Sequence, residues 1–350
     1  MPTVQADRLR EIERVLLEAA GASAEEAAIV AKHSVAANLA GHDSHGIIQI
    51  PIYIDRIRRG HIVPGAPIEV TNETDSTTVI DGHWGFGYVV SERAMEMTIA
   101  KAKQRGAAAA TVYRQSHVGR LTDYPVMATE AGMIGIMTAD SGRSSKNVVP
   151  FGGSKRRLGT NPICIAVPSD LDGPMFIDMA TSAVAGGKVS LAVARNESIP
   201  EGWIVDEDGN PTTDPNVLEN GGAQLPLGAT EGHKGYGLSV MIEILSGILT
   251  GLGFGHDPSG RHNDGCFIAA FDVSAFRPLA DFKREVAELA QYLKETPTAA
   301  GFNQIYYPGE LEAIKTAKLE AEGIEVEDAT WNKLKALATD YEVADRLALE

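Results

Sequence analysis

Cysteine is nearly absent from this chain of 350 residues: Cys164 and Cys266 stand alone, without CxxC spacing and in apolar surroundings. That scarcity excludes a disulfide framework and a thiolate metal knuckle, and it predicts two reduced, buried thiols in a cytoplasmic protein. Basic residues are outnumbered, 31 against 47 acidic, giving a formal charge of -16 that opposes binding to nucleic acid or an anionic membrane except through a local patch. A membrane span is missing as well. The amino-terminal MPTVQADRLR has no apolar signal core, and the longest apolar run, Tyr236 to Gly255, is broken by Glu243 and four internal glycines. There is no internal repeat and no low-complexity tract. Present instead are 44% hydrophobic residues and 36 glycines spread along the chain, enough for a sizeable core in two lobes of a soluble protein that handles small molecules.

Apolar residues at Leu9, Ile12, Val15, Leu16 and Ala19, followed by Gly21, predict an amphipathic helix with a glycine stop. Ser23 and Glu26 form a capping-box pattern for a second helix running to Gly41, and Pro51 to Gly60 has helical spacing before Pro64, Gly65 and Pro67 close a helical lobe. The character then changes. Thr77 to Gly82 reads as a strand, Ser91 as the cap of a helix ending near Gly106, and Ala107 to Tyr113 as the next strand. Further strands are expected at Met133 to Thr138, Ile163 to Val167, Met175 to Met179 and Cys266 to Val273. Helices are expected near Asp123 to Ala131, Ala183 to Ala194 and Gly235 to Leu249, around a turn-rich stretch from Gly202 to Pro215. Two or three charged helices fill the tail from Arg277, interrupted at Pro297 and Pro308. The fold class is therefore α/β (α+β): a mixed β-sheet flanked by helices, with a mainly helical lobe. The expected domains are 1–74, a helical lobe; 75–305, a mixed-sheet core; and 306–350, carboxy-terminal helices packing on the first lobe.

The densest chemistry is Gly41-His42-Asp43-Ser44-His45-Gly46, with Gln49, Tyr53 and Gly60 after it: two imidazoles, a carboxylate and a hydroxyl leaving a helix end. Such groups each cost about 1 to 3 kcal/mol if buried without a partner, so the cluster points to a ligand or a proton to be handled, against capping of the helix by water and backbone. A dinucleotide fingerprint is tested by Gly85-Phe86-Gly87, which follows a strand and precedes a helix. Val90 stands where the third glycine belongs, and no acidic residue ends a second strand at the required distance, so a glycine turn without a ligand is the better reading. His42, Asp43 and His45 lack the HExxH spacing and carboxylates of a metal hydrolase, and no metal site is expected. His256 and His262 bracket a loop that reads as a solvated turn.

Further polar islands are Ser116-His117-Val118-Gly119-Arg120, Gly159-Thr160-Asn161-Pro162, Asp178-Met179-Ala180-Thr181-Ser182, Gly186-Gly187-Lys188, Pro211-Thr212-Thr213-Asp214-Pro215 and Gly232-His233-Lys234-Gly235. Together with His42 to Gly46, in order and spacing over nearly the whole chain, they resemble the type 2 malate/L-lactate dehydrogenase family. Ala36 to Gly46 is worded most like the bacterial hydroxycarboxylate dehydrogenases. The resemblance implies a non-Rossmann homodimer that binds NAD or NADP between a mixed sheet and a helical lobe. The implied reaction interconverts 2-oxo and 2-hydroxy acids; the alternative within the family is reduction of cyclic imino acids such as piperideine-2-carboxylate. A non-enzymatic scaffold that has kept the fold is a third class, opposed by the intact His117 and glycine-rich islands.

Hydride transfer to or from C2 must be matched by a proton on or off the oxygen, which suits histidine. By resemblance His117 is the catalytic histidine beside the nicotinamide, and Ser44 and His45 match a pair that relays protons or orients substrate. The resemblance also assigns Val118, Gly119, Arg120 and Leu121, Asp178, Met179 and Ala180, Lys234, and Pro308, Gly309 and Glu310 to the cofactor. Lys188 and the Gly232-His233 turn join them, because glycine-rich helix starts and a lysine suit phosphate oxygens. Asp178 could hold adenosine hydroxyls or cap a turn, leaving NAD and NADP both open. Many members of the family have arginine where this chain has Gln49, and a neutral amide cannot replace a guanidinium fork. The substrate carboxylate is therefore expected on Arg120, helped by Tyr53 and Thr160, unless Arg120 is taken by Asp123 or by cofactor phosphate.

Overall fold

The structure is a computed structural model that describes residues 1–140, 146–228, 231–256 and 261–347. After the short strand β1 (Thr3–Val4), helix α1 (Ala6–Ala19) buries Leu9, Ile12, Val15, Leu16 and Leu17 along one stripe. Helix α2 (Ala24–Leu39) starts where the capping pattern places it. The Ser23 hydroxyl accepts the Glu26 N–H at 3.2 Å while the Glu26 carboxylate accepts the Ser23 N–H at 2.9 Å. A 3-10 turn at Asp43–His45 leads to α3 (Ile50–Arg58), which buries Ile50, Tyr53 and Ile54.

Strand β2 (Glu69–Glu73) pairs with β3 (Thr77–Gly85), followed by α4 (Gly87–Arg105), β4 (Ala107–Gln115), α5 (Asp123–Glu130), β5 (Met133–Asp140), β6 (Ile163–Val167) and β7 (Met175–Met179). Helix α6 (Gly186–Arg195) packs Val189 and Ala192 against Ile199 and Ile204 beside a small sheet of β8 (Ile204–Val205), β9 (Pro211–Thr212) and β10 (Ala223–Gln224). Then come α7 (His233–Glu243), β11 (Gly265–Asp272), α8 (Leu279–Lys294), α9 (Glu310–Glu322), β12 (Ile324–Glu325), α10 (Asp328–Asp340) and α11 (Ala344–Leu347). The main sheet has the order β2-β3-β4-β11-β5-β6-β7. Only β3 and β4, joined through α4, run parallel; every other neighbouring pair is antiparallel. This is the expected mixed, non-Rossmann sheet. β1 pairs with β12, which ties the amino-terminal segment to the strand between α9 and α10.

Some elements depart from the expected ones. Ser91 is no cap: α4 begins at Gly87, and the buried Ser91 hydroxyl donates to Gln115 Oε1 from inside the helix. The Gly202 to Pro215 stretch contains two short strands, and α7 passes into a π-helical turn at Ile244–Ile248. Among the described residues the tail holds four helices, α8 to α11, where two or three were expected. Cys164 and Cys266 are buried and unpaired, as expected. Among the described residues no helix is long and apolar enough to cross a membrane.

Candidate active site

The site forms where β4 ends and β11 begins. These strands are antiparallel with Val112 opposite Cys266, so the residues after Gln115 and before Gly265 must meet, and the Asp264 N–H donates to the Gln115 carbonyl at 3.1 Å. His117 leaves β4 there, and His262 with Asp264 enters β11. The two imidazoles lie 5.5 Å apart, edge to face. Asp264 Oδ1 is 2.8 Å from His262 Nε2, and Asp264 Oδ2 accepts the Val118 N–H at 3.0 Å. From the helical side, buried Asn38 accepts the Ile47 N–H at 2.8 Å and donates to Asp43 at 2.7 Å, fixing the turn between α2 and α3. A Cβ at Gly46 would lie 2.1 Å from the Asn38 amide oxygen, so this loop tolerates only glycine there. The fixed turn stacks His45 on His117 with ring centres 5.4 Å apart.

The glycine of Gly85-Phe86-Gly87 has a packing role. A Cβ on Gly87 would sit 2.3 Å from the Ser116 carbonyl, so a bare helix start lets α4 press on the backbone next to His117 and bring Tyr88 to it. Hydrogen bonds then run from His117 Nδ1 to the Tyr53 hydroxyl (2.6 Å), from Tyr53 to Tyr88 (3.3 Å), and from Tyr88 to the His45 carbonyl (3.1 Å). The last acceptor sets the direction of the row. A carbonyl only accepts, so Tyr88 donates to it, Tyr53 donates to Tyr88, and His117 Nδ1 must carry the hydrogen. Nε2 is thereby left as the lone-pair nitrogen, the form a general base needs.

Burial drives the His117 pKa well below the ordinary 6.5, against the raising effect of Asp264, and the ring is neutral at neutral pH. Burial and His42 likewise bring His45 down to about 4, and its Nδ1 is buried without a hydrogen-bond partner. Burial pushes the Tyr53 pKa well above the ordinary 10, and the hydroxyl stays a donor. Asp264 stays ionised: burial would raise it, but His262, His117 and the Val118 N–H hold it at about 2. Behind the site, burial opposes protonation of His33, yet Asp123 and Glu92 outweigh it and its pKa is raised.

The remaining sequence-predicted residues divide. Gln49 spends its amide on the Ser44 carbonyl at 2.7 Å, bracing the loop, and Ser44 itself is exposed. Arg120 is ion-paired with Asp123, the alternative its sequence neighbourhood offered, and both side chains are nearly buried. The Thr160 carbonyl accepts from the Thr181 N–H at 2.8 Å. Val118 and Leu121 are buried, with Gly119 at a φ of +70° against the Tyr88 ring. Asp178 Oδ2 accepts from the Thr122 N–H and hydroxyl at 2.8 and 2.7 Å, tying the end of β7, with Met179 and Ala180, to the turn after His117. Gly309, at a φ of +94°, lets the Pro308 carbonyl accept the Phe176 N–H, while Glu310 pairs with Lys294. A cavity of about 510 Å³ opens here, lined by Lys32, His33, Arg120, Thr122, Phe176 and Gly309 among others. Lys188, His233 and Lys234 sit exposed at the starts of α6 and α7 and do not line it.

Sequence reasoning missed Tyr88, which reads as one more helical aromatic, and misread His262. The loop between His256 and His262 lies mostly outside the described residues, but His262 itself is half-buried against His117 and paired with Asp264. Its only signal was the spacing to a buried Asp one step before a strand.

Residues 4–335 match the family model described as malate/L-lactate dehydrogenase. A malate/(S)-sulfolactate dehydrogenase of Methanothermus fervidus is 40% identical over 341 residues, covering 96% of this chain and 95% of that one. The crystal structure of a malate dehydrogenase from Entamoeba histolytica superposes with a TM-score of 0.93 at 33% identity, covering 98% of both chains. A Δ1-piperideine-2-carboxylate reductase from Pseudomonas syringae superposes with a TM-score of 0.84 at 30% identity, over 97% of this chain and all of that one. With a family model spanning nearly the whole chain and relatives alike along their full length, the protein belongs to the malate/L-lactate dehydrogenase family.

Proposed function

We propose that the protein interconverts a 2-hydroxy acid and the corresponding 2-oxo acid with a nicotinamide cofactor, His117 carrying the proton. The observation that carries this reading is the row from His117 through Tyr53 and Tyr88 to a carbonyl, which presents a buried, neutral imidazole with a free Nε2. Bound NAD or NADP would take the hydride from C2 of the hydroxy acid. His117 Nε2 takes the hydroxyl proton, and Asp264, through its bond to the Val118 N–H, fixes the backbone that carries the imidazole and favours its charged form. His45, stacked on His117 with an unpartnered Nδ1, orients the substrate oxygen with Ser44 beside it.

The residues present fit the cofactor. The cavity of about 510 Å³ beside Thr122, Phe176 and Gly309 is of a size for an adenosine moiety, reached from His117 along 118–122. Its wall carries Asp123, Glu130, Asp172, Glu312 and Glu320 against Lys32, His33 and Arg120, a balance that favours the ribose hydroxyls of NAD over the phosphate of NADP. Lys188 and Lys234, exposed at helix starts, are assigned to phosphate oxygens. A homodimer is part of the proposal. Helix α8 exposes Leu289, Tyr292 and Leu293, and the π-helical turn after α7 exposes Ile244, Ile248 and Leu249, apolar surface that a second copy would cover.

The test is a panel of 2-oxo acids, malate, lactate, sulfolactate and cyclic imino acids, each with NAD(H) and NADP(H), with and without chelator. Turnover of hydroxy or oxo acids unaffected by chelator is expected. Silence across the panel without cofactor binding refutes the proposal. The likeness to the piperideine-carboxylate reductase supports a second reading, imine reduction, which activity on imino acids alone would establish.

A further inference from the structure

A 2-oxo acid carries a carboxylate one bond from its reacting carbon, and in a cleft closed to water that anion requires a cation. The cations around the site are mostly committed. Arg120 is paired with Asp123, Lys146 lies between Asp140 at 3.1 Å and Glu243 at 3.0 Å, and Arg261 stacks on Trp84 while donating to the Gly60 carbonyl. Gln49 is neutral and bonded to Ser44.

Arg56 differs. It lies one helical turn beyond Tyr53 and two beyond Gln49, on the stripe of α3 that faces His117. Its Nη1 is buried without a hydrogen-bond partner among the described residues. A guanidinium N–H shielded from water and left unmatched is costly, and an incoming anion would satisfy it. We infer that Arg56 holds the carboxylate of the 2-oxo or 2-hydroxy acid, making it the specificity-determining cation of this chain. The inference rests on the hydroxy-acid reading above. The Arg56 charge is also close enough to act on the protonation of both His117 and Tyr53, as a group reaching the reacting atoms must be. A carboxylate placed on it would remove that repulsion and help His117 to accept a proton, so binding of the acid would prepare its own proton transfer.

The experiment is calorimetry of oxamate, an unreactive 2-oxo acid mimic, binding to the enzyme loaded with NADH. Wild type is expected to bind it, Arg56→Gln to bind it about 30-fold or more weakly, and Arg56→Lys to keep affinity within about tenfold. Arg58→Gln, on the solvent side of the same helix and paired with Tyr341 and Asp340, should change it less than about threefold, with NADH affinity unaltered in the Arg56 variants. The inference is overturned if wild type does not bind oxamate, if Arg56→Gln binds it as wild type does, or if Arg58→Gln loses it equally. Loss of NADH binding in both Arg56 variants overturns it too, by making Arg56 a scaffold or cofactor residue. Turnover is assayed separately. Arg56-dependent oxamate binding in a protein that oxidises no hydroxy acid would refute the proposed reaction and leave the anion site standing.

Discussion

Replacing Tyr53 by phenylalanine tests the tautomer assignment most directly, because it deletes one oxygen from an otherwise packed ring. In the native row His117 Nδ1–H has the Tyr53 oxygen 2.6 Å away as its acceptor. Without that oxygen the buried N–H is unmatched, at a cost of about 1 to 3 kcal/mol. The imidazole can escape the cost by shifting its hydrogen to Nε2, but that removes the lone pair which takes the substrate proton. Either way the productive form is disfavoured by about 5- to 150-fold. We therefore expect kcat for hydroxy-acid oxidation to fall by that factor, with the KM of the acid and the NADH affinity nearly unchanged. Steady-state kinetics with NADH fluorescence titration measures all three. Tyr88→Phe should act in the same direction and more weakly, and the double variant should cost less than the sum, because both belong to one row. A rise in KM at constant kcat would make Tyr53 a substrate ligand and refute the relay.

Three further outcomes follow from the same geometry. His117→Ala should lower turnover about 10²- to 10⁴-fold while sparing cofactor affinity, whereas lost cofactor binding with residual turnover intact would hand the proton to His45. Because the His117 pKa is lowered well below 6.5, kcat/KM for oxidation should be level through neutral pH and fall only on acidification, while kcat/KM for reduction should decline tenfold per unit above that pKa; an oxidation profile that already falls at or above pH 6.5 would exclude His117 as the base. Gly119→Ala, at a φ of +70° and with its Cβ 2.2 Å from the Tyr88 ring, should lower Tm and activity together by displacing Tyr88, at a cost of about 1 to 3 kcal/mol; an unchanged Tm would show that the turn can relax.

Acid stability gives a separate check on the electrostatics. His45 has a folded pKa of about 4 against an ordinary 6.5, so its neutral form favours the fold. That contribution is complete above pH 6.5 and is lost as pH falls from 6.5 towards 4, an upper bound of about 3 kcal/mol that partial exposure reduces. His33, with a raised pKa, works the other way: its contribution is complete below 6.5 and fades as pH rises through its folded value. His45→Gln should accordingly flatten the fall of Tm between pH 6.5 and 4, and an equally steep fall would show that His45 is not shielded as the structure has it.

The parts legible in the sequence were those written in local periodicity. The Ser23 and Glu26 cap and the strand at Ile163–Val167 follow from side-chain spacing over a dozen residues and stand where that spacing put them, and the strand-helix-strand unit around α4 was legible in its order, though not in where the helix begins. The site was legible only where several polar groups sit together in the chain, as at His42 to His45. His262 was not, because it reaches His117 across an antiparallel register of β11 on β4 that no local pattern announces. Ser91 misled for a related reason: a serine near a helix start looks like a cap, but this hydroxyl serves Gln115 on the neighbouring strand. Arg56 looks like any basic residue in the last turn of a surface helix. Its buried Nη1 without a partner among the described residues, beside an Arg120 already paired with Asp123, is what singles it out for the proposed role, and neither is visible in the sequence.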